Sequence, residues 1–360
     1  MRKRPKCMET QGDFAKWHDL PLATRSGCAG LQAKRLCYVV AVPEPHRGVP
    51  NASWAEALEQ IGGGVLQSSG WARFQQRLGH TVLYEHGQRW CWMGVLRQRR
   101  PVTYLYVPYG PAADEADAGE ALGSAVDAAR SVGCDFVRVE PTFHHDAALR
   151  TLGAHRTAAT QPEVSWRLDI TPGEPELRRG LTKGHKAGID GSKRGLTVAE
   201  SGDPDDVEAF LRLLHLTEAR SRFRPHPDAY FRTMLRELMP LGLAHLYFAT
   251  SEGSRIAGAI AFDFGNTRYY AHAGADTTAR KLSPGTAVVW RMLIDARQAG
   301  KHWFDFWGIT ESSDPAHPWA GITQFKRSFG GEVVRRVGTW EIPLRTWRYR
   351  LYAGARKMRR

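Results

Sequence analysis

Cysteine is scarce in this sequence. Its 360 residues contain five cysteines and no Cys-x-x-Cys pair, which indicates neither a disulfide framework nor a zinc site. Uninterrupted apolar runs fall well short of the about 18 residues that cross a bilayer. The basic start, residues 1–6, is not followed by the apolar segment of a secretion signal. We therefore expect a cytoplasmic protein, and contact with a membrane surface stays open.

Acidic residues are also in deficit. The 37 Asp and Glu face 50 Lys and Arg, a net charge of +13, and such an excess raises the affinity for polyanions. Basic residues concentrate in residues 178–194 and again in the tail 345–360. The first cluster favours a phosphate backbone over a merely solvated helix face. For the tail, nucleic acid and acidic lipid are equally open.

Two stretches, 51–139 and 203–306, repeat one order of elements: two helices, antiparallel strands, a helix closed by glycine, and a strand. Asp203-Pro204 is a strong helix start, and Gly133 and Gly300 end the two corresponding later helices. This order is that of a GNAT-type acyltransferase. The sequence therefore predicts an α/β (α+β) fold with two tandem GNAT-like acyltransferase domains, in which mixed sheets are flanked by helices.

The segments Phe304–Ile309 and Gly321–Glu332 carry the strongest chemical signal. Lys326 follows the aromatic Phe325 in a predicted loop, shortly after a strand-to-loop exit, and Gly330-Gly331 lets the backbone turn sharply. A cation at a strand exit can stabilise a developing oxyanion. The alternative is a surface lysine lying over a core phenylalanine.

These motifs resemble those of the FemABX family of peptidoglycan aminoacyltransferases. The signature is Asp305-Phe-Trp-Gly308, Phe325-Lys326 and Phe329-Gly-Gly331. Further segments resemble the family in order and spacing: Leu66–Phe74, Thr217–Phe223, Tyr269–Ala275, Ser283–Ala287 and Gly338–Leu344.

The resemblance implies an aminoacyl-tRNA donor and a muropeptide acceptor, either UDP-MurNAc-pentapeptide or lipid II. It implies no metal and no cofactor beyond the aminoacyl-tRNA co-substrate, and we infer no stable protein partner. The domains would be a variable extension over 1–50, a first domain over 51–170 completed by the tail 335–360, and a second domain over 171–334. The long coiled-coil arm of some family members has no room in this chain.

The resemblance also implies roles for individual residues. The catalytic set would be Lys326, Phe325 and Asp305, with Asp305 or His272 as proton acceptor. The acceptor substrate would contact Arg220, Thr217, Tyr270, Arg77 and Trp71. The clustering of positive charge, and not the resemblance, assigns the tRNA contact to Arg178, Arg179, Lys183 and Lys186. In one departure, Gln75 stands where some family members carry a lysine, which leaves the phosphate contact from the first domain open.

Three other functions remain open. An acetyl-CoA-dependent N-acetyltransferase would need the turn Arg280–Ala287 to hold pyrophosphate, although Pro284 removes one N–H donor there. A non-catalytic RNA-binding module would not need Lys326. These residues do not distinguish aminoacyl transfer to a peptidoglycan precursor from the same transfer to a peptidyl natural product, since both acceptors present an amine.

Overall fold

The computed structural model describes residues 45–190, 195–220 and 224–358. A strand predicted at 36–42 and most of the predicted extension lie outside the described residues. The helices are α1 Ala52–Gln60, α2 Ser69–Arg77, α3 Ala118–Ser131, α4 Ala147–Thr151, α5 Glu174–Gly180, α6 Lys183–Ile189, α7 Val207–Arg220, α8 Asp228–Leu238, α9 Pro284–Gln298, α10 Ala320–Arg327 and α11 Thr346–Met358. The strands are β1 His46–Arg47, β2 Val82–His86, β3 Trp90–Arg99, β4 Val102–Val107, β5 Ala112–Ala113, β6 Phe136–Val139, β7 His155–Arg156, β8 Val164–Asp169, β9 Thr197–Ser201, β10 Ala244–Ser251, β11 Ser254–Phe264, β12 Thr267–Ala275, β13 Trp303–Gly308, β14 Glu332–Arg335 and β15 Trp340–Pro343.

These strands form two mixed sheets of the same design. The first has the order β1-β2-β3-β4-β6-β15-β7, with β5 paired to β3, and the second has the order β14-β8-β13-β12-β11-β10-β9. Each sheet contains one parallel junction, β4 with β6 and β12 with β13, among antiparallel neighbours. The mixed α/β architecture expected from the sequence is therefore present twice.

Local signals explain where the helices begin and end. The Ser68 side chain accepts a hydrogen bond from the Trp71 amide and caps α2, and Asp203 caps the turn that leads into α7. Gly133 and Gly300 follow the corresponding helices α3 and α9, both with φ of 76°. Glycine adopts this left-handed conformation at no steric cost, so the two helices stop at equivalent places.

The chain crosses between the sheets twice. Strand β8, which the predicted boundary at residue 170 assigned to the first domain, pairs with β13 and β14 of the second sheet. The boundary therefore lies before residue 164, because β8 completes the second ladder. Strand β15 returns to the first sheet and pairs with β6 and β7.

A shared hydrophobic core joins the two halves. It unites side chains of α1 and α2, such as Trp54 and Phe74, with Phe210 and Phe231 of α7 and α8. The ring of Trp71 lies 5.1 Å from Phe74 and 5.7 Å from Phe262 of β11. Separate cores lie beneath α3 and α9. An apolar interface of this kind holds the two sheets at a fixed separation. None of the helices in the described ranges is long and apolar enough to cross a membrane.

Candidate active site

The parallel junction of the second sheet opens into a wedge. Strands β12 and β13 pair at three positions, Thr267–Tyr269 with Trp303–Asp305. Beyond these positions β12 continues to Ala275 and β13 to Gly308 without pairing to each other. The carboxyl end of β13 is thus separated from its parallel neighbour, and open α/β sheets bind ligands at such ends.

Lys326 points into the carboxyl end of this wedge. The predicted loop at residues 325–326 is in fact the last turn of α10, and this helix carries the side chain inward, where the residue is 7% exposed. Its ammonium Nζ donates a hydrogen bond of 2.6 Å to the Gly308 carbonyl. Burial lowers the pKa of Lys326 to about 8, while nearby Asp305 favours the charged form. At neutral pH the site therefore holds a buried cation.

Asp305 organises the backbone around this lysine. One carboxylate oxygen accepts from the Trp307 amide at 2.7 Å. The other accepts from the Ser165 hydroxyl at 3.3 Å and lies 3.8 Å from Arg336. Because both oxygens are engaged, the geometry makes Asp305 a positioning residue and does not support the catalytic role predicted for it.

Phe325 lies on the opposite side of α10 from the core between the halves. Its ring contacts His185 of α6 at 5.3 Å and Phe329 at 5.3 Å. The predicted lysine–aromatic pair therefore faces two ways: Lys326 towards the wedge and Phe325 towards α6.

An aromatic wall built from both halves, Tyr109 of the first and Trp307 of the second, faces the wedge; the signature contains Trp307, but the motifs assigned neither ring a role. Trp307 has φ of 63° and Tyr109 has φ of 44°, and their rings are 5.8 Å apart. The Trp307 ring also lies 5.6 Å from Tyr269, and the Arg336 guanidinium lies 4.5 Å above Tyr109. Strained backbone at bulky residues is concentrated at functional sites, so this wall belongs to the candidate site.

Arg97 of β3 is an unneutralised cation at the edge of the shared core. Its guanidinium bonds to His80 Nε2 at 2.6 Å and to Gln75 Oε1 at 3.2 Å. Burial and Arg97 itself lower the pKa of His80 to about 3, so this imidazole is a neutral acceptor. Within the described ranges no carboxylate forms an ion pair with Arg97. A desolvated cation without an acid is a ready site for an anionic ligand.

Gln75 stands where some family members carry a lysine. Because the Arg97 guanidinium bonds to Gln75, it brings a positive charge to the place of that lysine. The sequence prediction instead chose Arg77, which stays a prediction that the geometry favours less than Arg97. Arg77 is 67% exposed in its side chain and pairs with Glu237 at 3.0 Å. Trp71, also predicted to contact the acceptor, is buried in the shared core.

Of the three acceptor residues predicted in the second half, the two with described side chains, Tyr270 and Thr217, lie in different surroundings. Tyr270 packs in the core beneath α9, whereas Tyr269 faces the core between the halves. The Thr217 hydroxyl accepts from the Ala275 amide and donates to the Leu213 carbonyl, both at 3.1 Å. Arg220 ends α7, and its side chain is outside the described atoms. Tyr270 is thus a core residue, and Tyr269 is the tyrosine that contacts Trp307.

The basic cluster on α5 and α6 divides into two parts. Arg178 pairs with Glu174 at 3.0 Å and Asp190 at 3.1 Å, so it holds the two helices together. Arg179, Lys183 and Lys186 are exposed. Beside them a groove of about 380 Å³ runs along the outer flank of α10, lined by Thr182, Thr310, Ser312, Thr323, Arg327 and Ser328 among others. The lining is rich in hydroxyls and contains Arg327 and Asp314, of opposite charge. The exposed cations of α5 and α6 beside it make the region suited to a phosphate-bearing ligand.

The turn that an acetyl-CoA enzyme would use is obstructed. The amides of Thr286 and Ala287 bond to the Ser283 carbonyl at 3.1 and 3.2 Å, and Pro284 begins α9 without a donor. Helix α6 covers the same end, because a Cβ on Gly188 would approach the Thr286 side chain to 2.8 Å. A pyrophosphate cradle at this turn is disfavoured. Among the described residues, no group of three His, Cys, Asp or Glu side chains is arranged to hold a metal ion.

Parts of the chain match known proteins in sequence. Residues 176–327 match the family described as an acetyltransferase (GNAT) domain. A lipid II:glycine glycyltransferase of Staphylococcus epidermidis is 27% identical over 109 residues, 30% of this chain and 26% of that protein. The chain thus spans about a quarter of that relative's length in the match.

Solved structures show the same fold over most of the chain. The crystal structure of FemX aligns with a TM-score of 0.75 at 18% identity, over 85% of this chain and 99% of that one. A tandem GNAT protein from the clavulanic acid biosynthesis pathway aligns with a TM-score of 0.53 at 13% identity, over 83% and 97%. The predicted tandem GNAT fold and the resemblance to the FemABX family are confirmed.

Proposed function

We propose that this chain is an aminoacyltransferase that moves an amino acid from an aminoacyl-tRNA to an amine on the stem peptide of a peptidoglycan precursor. The buried Lys326 ammonium, 2.6 Å from the Gly308 carbonyl at the open end of β13, carries the proposal. It lies where the fold separates two parallel strands, and it provides a fixed positive charge in a site of low dielectric.

The donor is an ester that is already activated, so we propose that the reaction needs neither a metal nor a resident cofactor. Lys326 would stabilise the oxyanion that forms when the acceptor amine attacks the ester carbonyl. A pre-oriented donor of this kind is worth roughly 3 kcal/mol in the transition state. The new C–N bond forms as the ester C–O bond breaks, and the 3′-terminal ribose oxygen leaves.

The chain offers no well-placed general base near the wedge among its described residues. Burial and nearby His226 lower the pKa of His272 to about 3, which makes this predicted proton acceptor a weak base. The Asp305 carboxylate is occupied by Trp307 and Ser165. We therefore propose that the proton of the attacking amine passes to the departing ribose oxygen, within the substrates themselves.

The two substrates would enter from opposite sides. The exposed Arg179, Lys183 and Lys186 and the groove along α10 would hold the tRNA end, with Phe325 beside it. The acceptor would lie between the halves against the Tyr109–Trp307 wall, with Arg97 and Arg220 binding its phosphate or carboxylate groups. Either UDP-MurNAc-pentapeptide or lipid II offers such groups. Both acceptors imply work in the cytoplasm, at the inner membrane surface when the acceptor carries a lipid.

The test is to supply charged tRNAs, one amino acid at a time, with UDP-MurNAc-pentapeptide or lipid II. Mass spectrometry of the acceptor should detect a one-residue adduct with at least one pair. Lys326→Ala should abolish this adduct, whereas Arg77→Ala, a matched exposed cation, should leave it. No adduct with any tRNA, together with acetylation from acetyl-CoA, would replace this proposal by an N-acetyltransferase.

A further inference from the structure

The C-terminal helix α11 exposes an apolar stripe. Trp347, Leu351 and Met358 are 65%, 62% and 84% exposed, which is unusual for large apolar side chains in the described ranges. Their spacing of four and seven residues places them on one side of the helix. The exposed Gly354 lies on the same side, so the stripe runs the full length of α11.

The opposite side of α11 is firmly attached to the first sheet. Tyr349 and Tyr352 are buried, with rings 5.6 and 5.2 Å from Phe136 of β6. The Arg356 guanidinium makes two hydrogen bonds, of 2.8 and 3.1 Å, to the buried carboxylate of Glu341. The stripe is therefore displayed by an anchored helix, and its exposure is not due to a frayed end.

Cations border the stripe on both flanks. Helix α11 contains four basic residues and no acidic residue. Arg350 and Lys357 are exposed, and within the described residues neither has an acidic partner. On the other flank Arg348 pairs with Asp135 at 2.8 Å and lies 5.6 Å above the Trp347 ring. An apolar stripe with basic borders is the pattern of a helix that lies flat in a membrane interface.

We propose that α11 docks on the surface of a bilayer that contains anionic phospholipid. Nucleic acid would satisfy the cations but would leave Trp347, Leu351 and Met358 in water. A second copy of the chain would cover the stripe, but a two-fold interface joins the same surface of both copies. Since α11 contains four basic residues and no acidic residue, cations of one copy would then lie near cations of the other. An anionic bilayer satisfies both features at once.

This docking rests on the proposed function and narrows it to a lipid-linked acceptor. The residues beneath α11 belong to the sheet face that also carries Arg97, since Arg97 and Tyr104 are direct partners across β3 and β4. Tyr104 in turn stacks on Phe136 at 4.6 Å. An acceptor whose phosphates bind near Arg97 would therefore lie on the sheet face that α11 covers, with its lipid in the bilayer beneath the stripe.

The experiment is sedimentation of the full chain with vesicles of phosphatidylcholine alone or with about one third phosphatidylglycerol, in the absence of substrates. We expect binding to the anionic vesicles only. Trp347→Ser with Leu351→Ser should weaken it by on the order of 30-fold or more. Arg350→Ser with Lys357→Ser should weaken it by about 30-fold, since each cation contributes a factor of about five at such a surface.

A matched control removes exposed apolar residues elsewhere. Leu216→Ser with Leu241→Ser, at side chains 52% and 44% exposed, should leave vesicle binding unchanged. The α11 variants should also keep their activity on the lipid-linked acceptor in detergent and lose it on the same acceptor embedded in vesicles.

Unaltered vesicle binding in both α11 variants would overturn the docking, as would no binding by the wild type. Loss of tRNA binding or of dimer formation in these variants, with vesicle binding intact, would assign the helix to nucleic acid or to a second copy instead. Because sedimentation needs no turnover, failure of the docking is distinguishable from failure of the aminoacyl transfer.

Discussion

The two halves share one architecture but differ at the carboxyl end of the strand that follows their parallel junction. In the second half, helix α10 turns Lys326 towards the end of β13. In the first half, the corresponding helix α4 turns Leu149 into the core beneath α3. The end of β6 is closed by Glu140, whose carboxylate accepts from Tyr106, Gln161 and Thr339, each at 2.7 Å.

Because of this difference, the two halves are suited to different roles. In the first half, Leu149 fills the junction with an apolar side chain and the Glu140 carboxylate is fully hydrogen-bonded. The described residues of this junction therefore provide no free positive charge to stabilise a developing oxyanion. The second junction retains a buried cation that the fold does not neutralise. The first half instead supplies Arg97 and the Tyr109 wall, which are suited to binding the acceptor.

The largest expected effect comes from removing the cation that distinguishes the second half. Lys326→Met should lower kcat by about 10²- to 10³-fold, as loss of an oxyanion donor does, with little change in the KM for either substrate. Single-turnover rates at saturating acceptor measure this effect. A KM increase with unchanged kcat would mean that Lys326 binds a substrate and does not stabilise the transition state.

The matched change in the first half should affect stability and not chemistry. Leu149→Ala should lower the free energy of unfolding by about 2–4 kcal/mol, because it opens a cavity in a closed core. Activity per folded molecule should stay within twofold, measured well below the melting temperature. A drop in kcat as large as that of Lys326→Met would remove the distinction between the halves.

Lys326→Met should also stabilise the protein. The pKa of Lys326 falls from about 10.5 to about 8 on folding, so burying the charge costs roughly 3 kcal/mol at pH 7, of which about 1 returns through the bond to Gly308. We expect a gain of about 2 kcal/mol. Between pH 8 and 10.5 the unfolded state binds more protons, so wild-type stability rises with pH and this gain should shrink. Denaturant unfolding at about pH 7 and about pH 9.5 measures it. A constant or growing gain would contradict a depressed pKa.

Arg97→Gln should raise the KM for the acceptor by about 10- to 50-fold and leave kcat and the KM for aminoacyl-tRNA nearly unchanged, as expected for loss of one charge-assisted hydrogen bond. Steady-state kinetics with each substrate varied in turn separates these constants. Arg77→Ala is the control, because an exposed ion pair contributes little. If Arg97→Gln changed kcat alone, the recognition role of the first half would be wrong.

Changing Lys183 and Lys186 to serine should have the smallest effect. We expect the KM for aminoacyl-tRNA to rise severalfold, and the slope of its dependence on salt to fall by about two, because two phosphates of the tRNA would no longer be neutralised by a lysine. Measurements between about 50 and 200 mM salt test this. An unchanged salt slope would show that the tRNA does not contact α6.

Local signals in the sequence predicted most of the fold. The cap at Asp203 and the stops at Gly133 and Gly300 depend on neighbours within a few residues. The placement of β8 in the second sheet was not predictable in this way, since its partners lie far along the chain. The return of the tail, with β15, to the first sheet was expected from the family resemblance and not from local signals.

The candidate site was likewise predictable only where its residues belong to a local sequence motif. Lys326 could be identified because it belongs to a sequence motif, although the residues around it were predicted to form a loop and not a helix. Tyr270 was named from the family resemblance, which does not reveal that Tyr269 is the tyrosine facing the core between the halves. The register of β11 with β12 shifts between Ile260 and Ala261, and such a shift changes which side chains share a face. Arg97 has no sequence signal: its significance comes from His80 and Gln75 around it and from the absence of an acid among the described residues that contact it.

The most direct test is the single-turnover rate constant for transfer from a charged tRNA to a saturating stem-peptide acceptor, compared between the wild type and Lys326→Met. The arrangement of β13 and α10 predicts a decrease of at least about 100-fold in a variant that is more stable than the wild type. Equal rate constants in the two proteins would contradict the assignment of the reaction to this wedge.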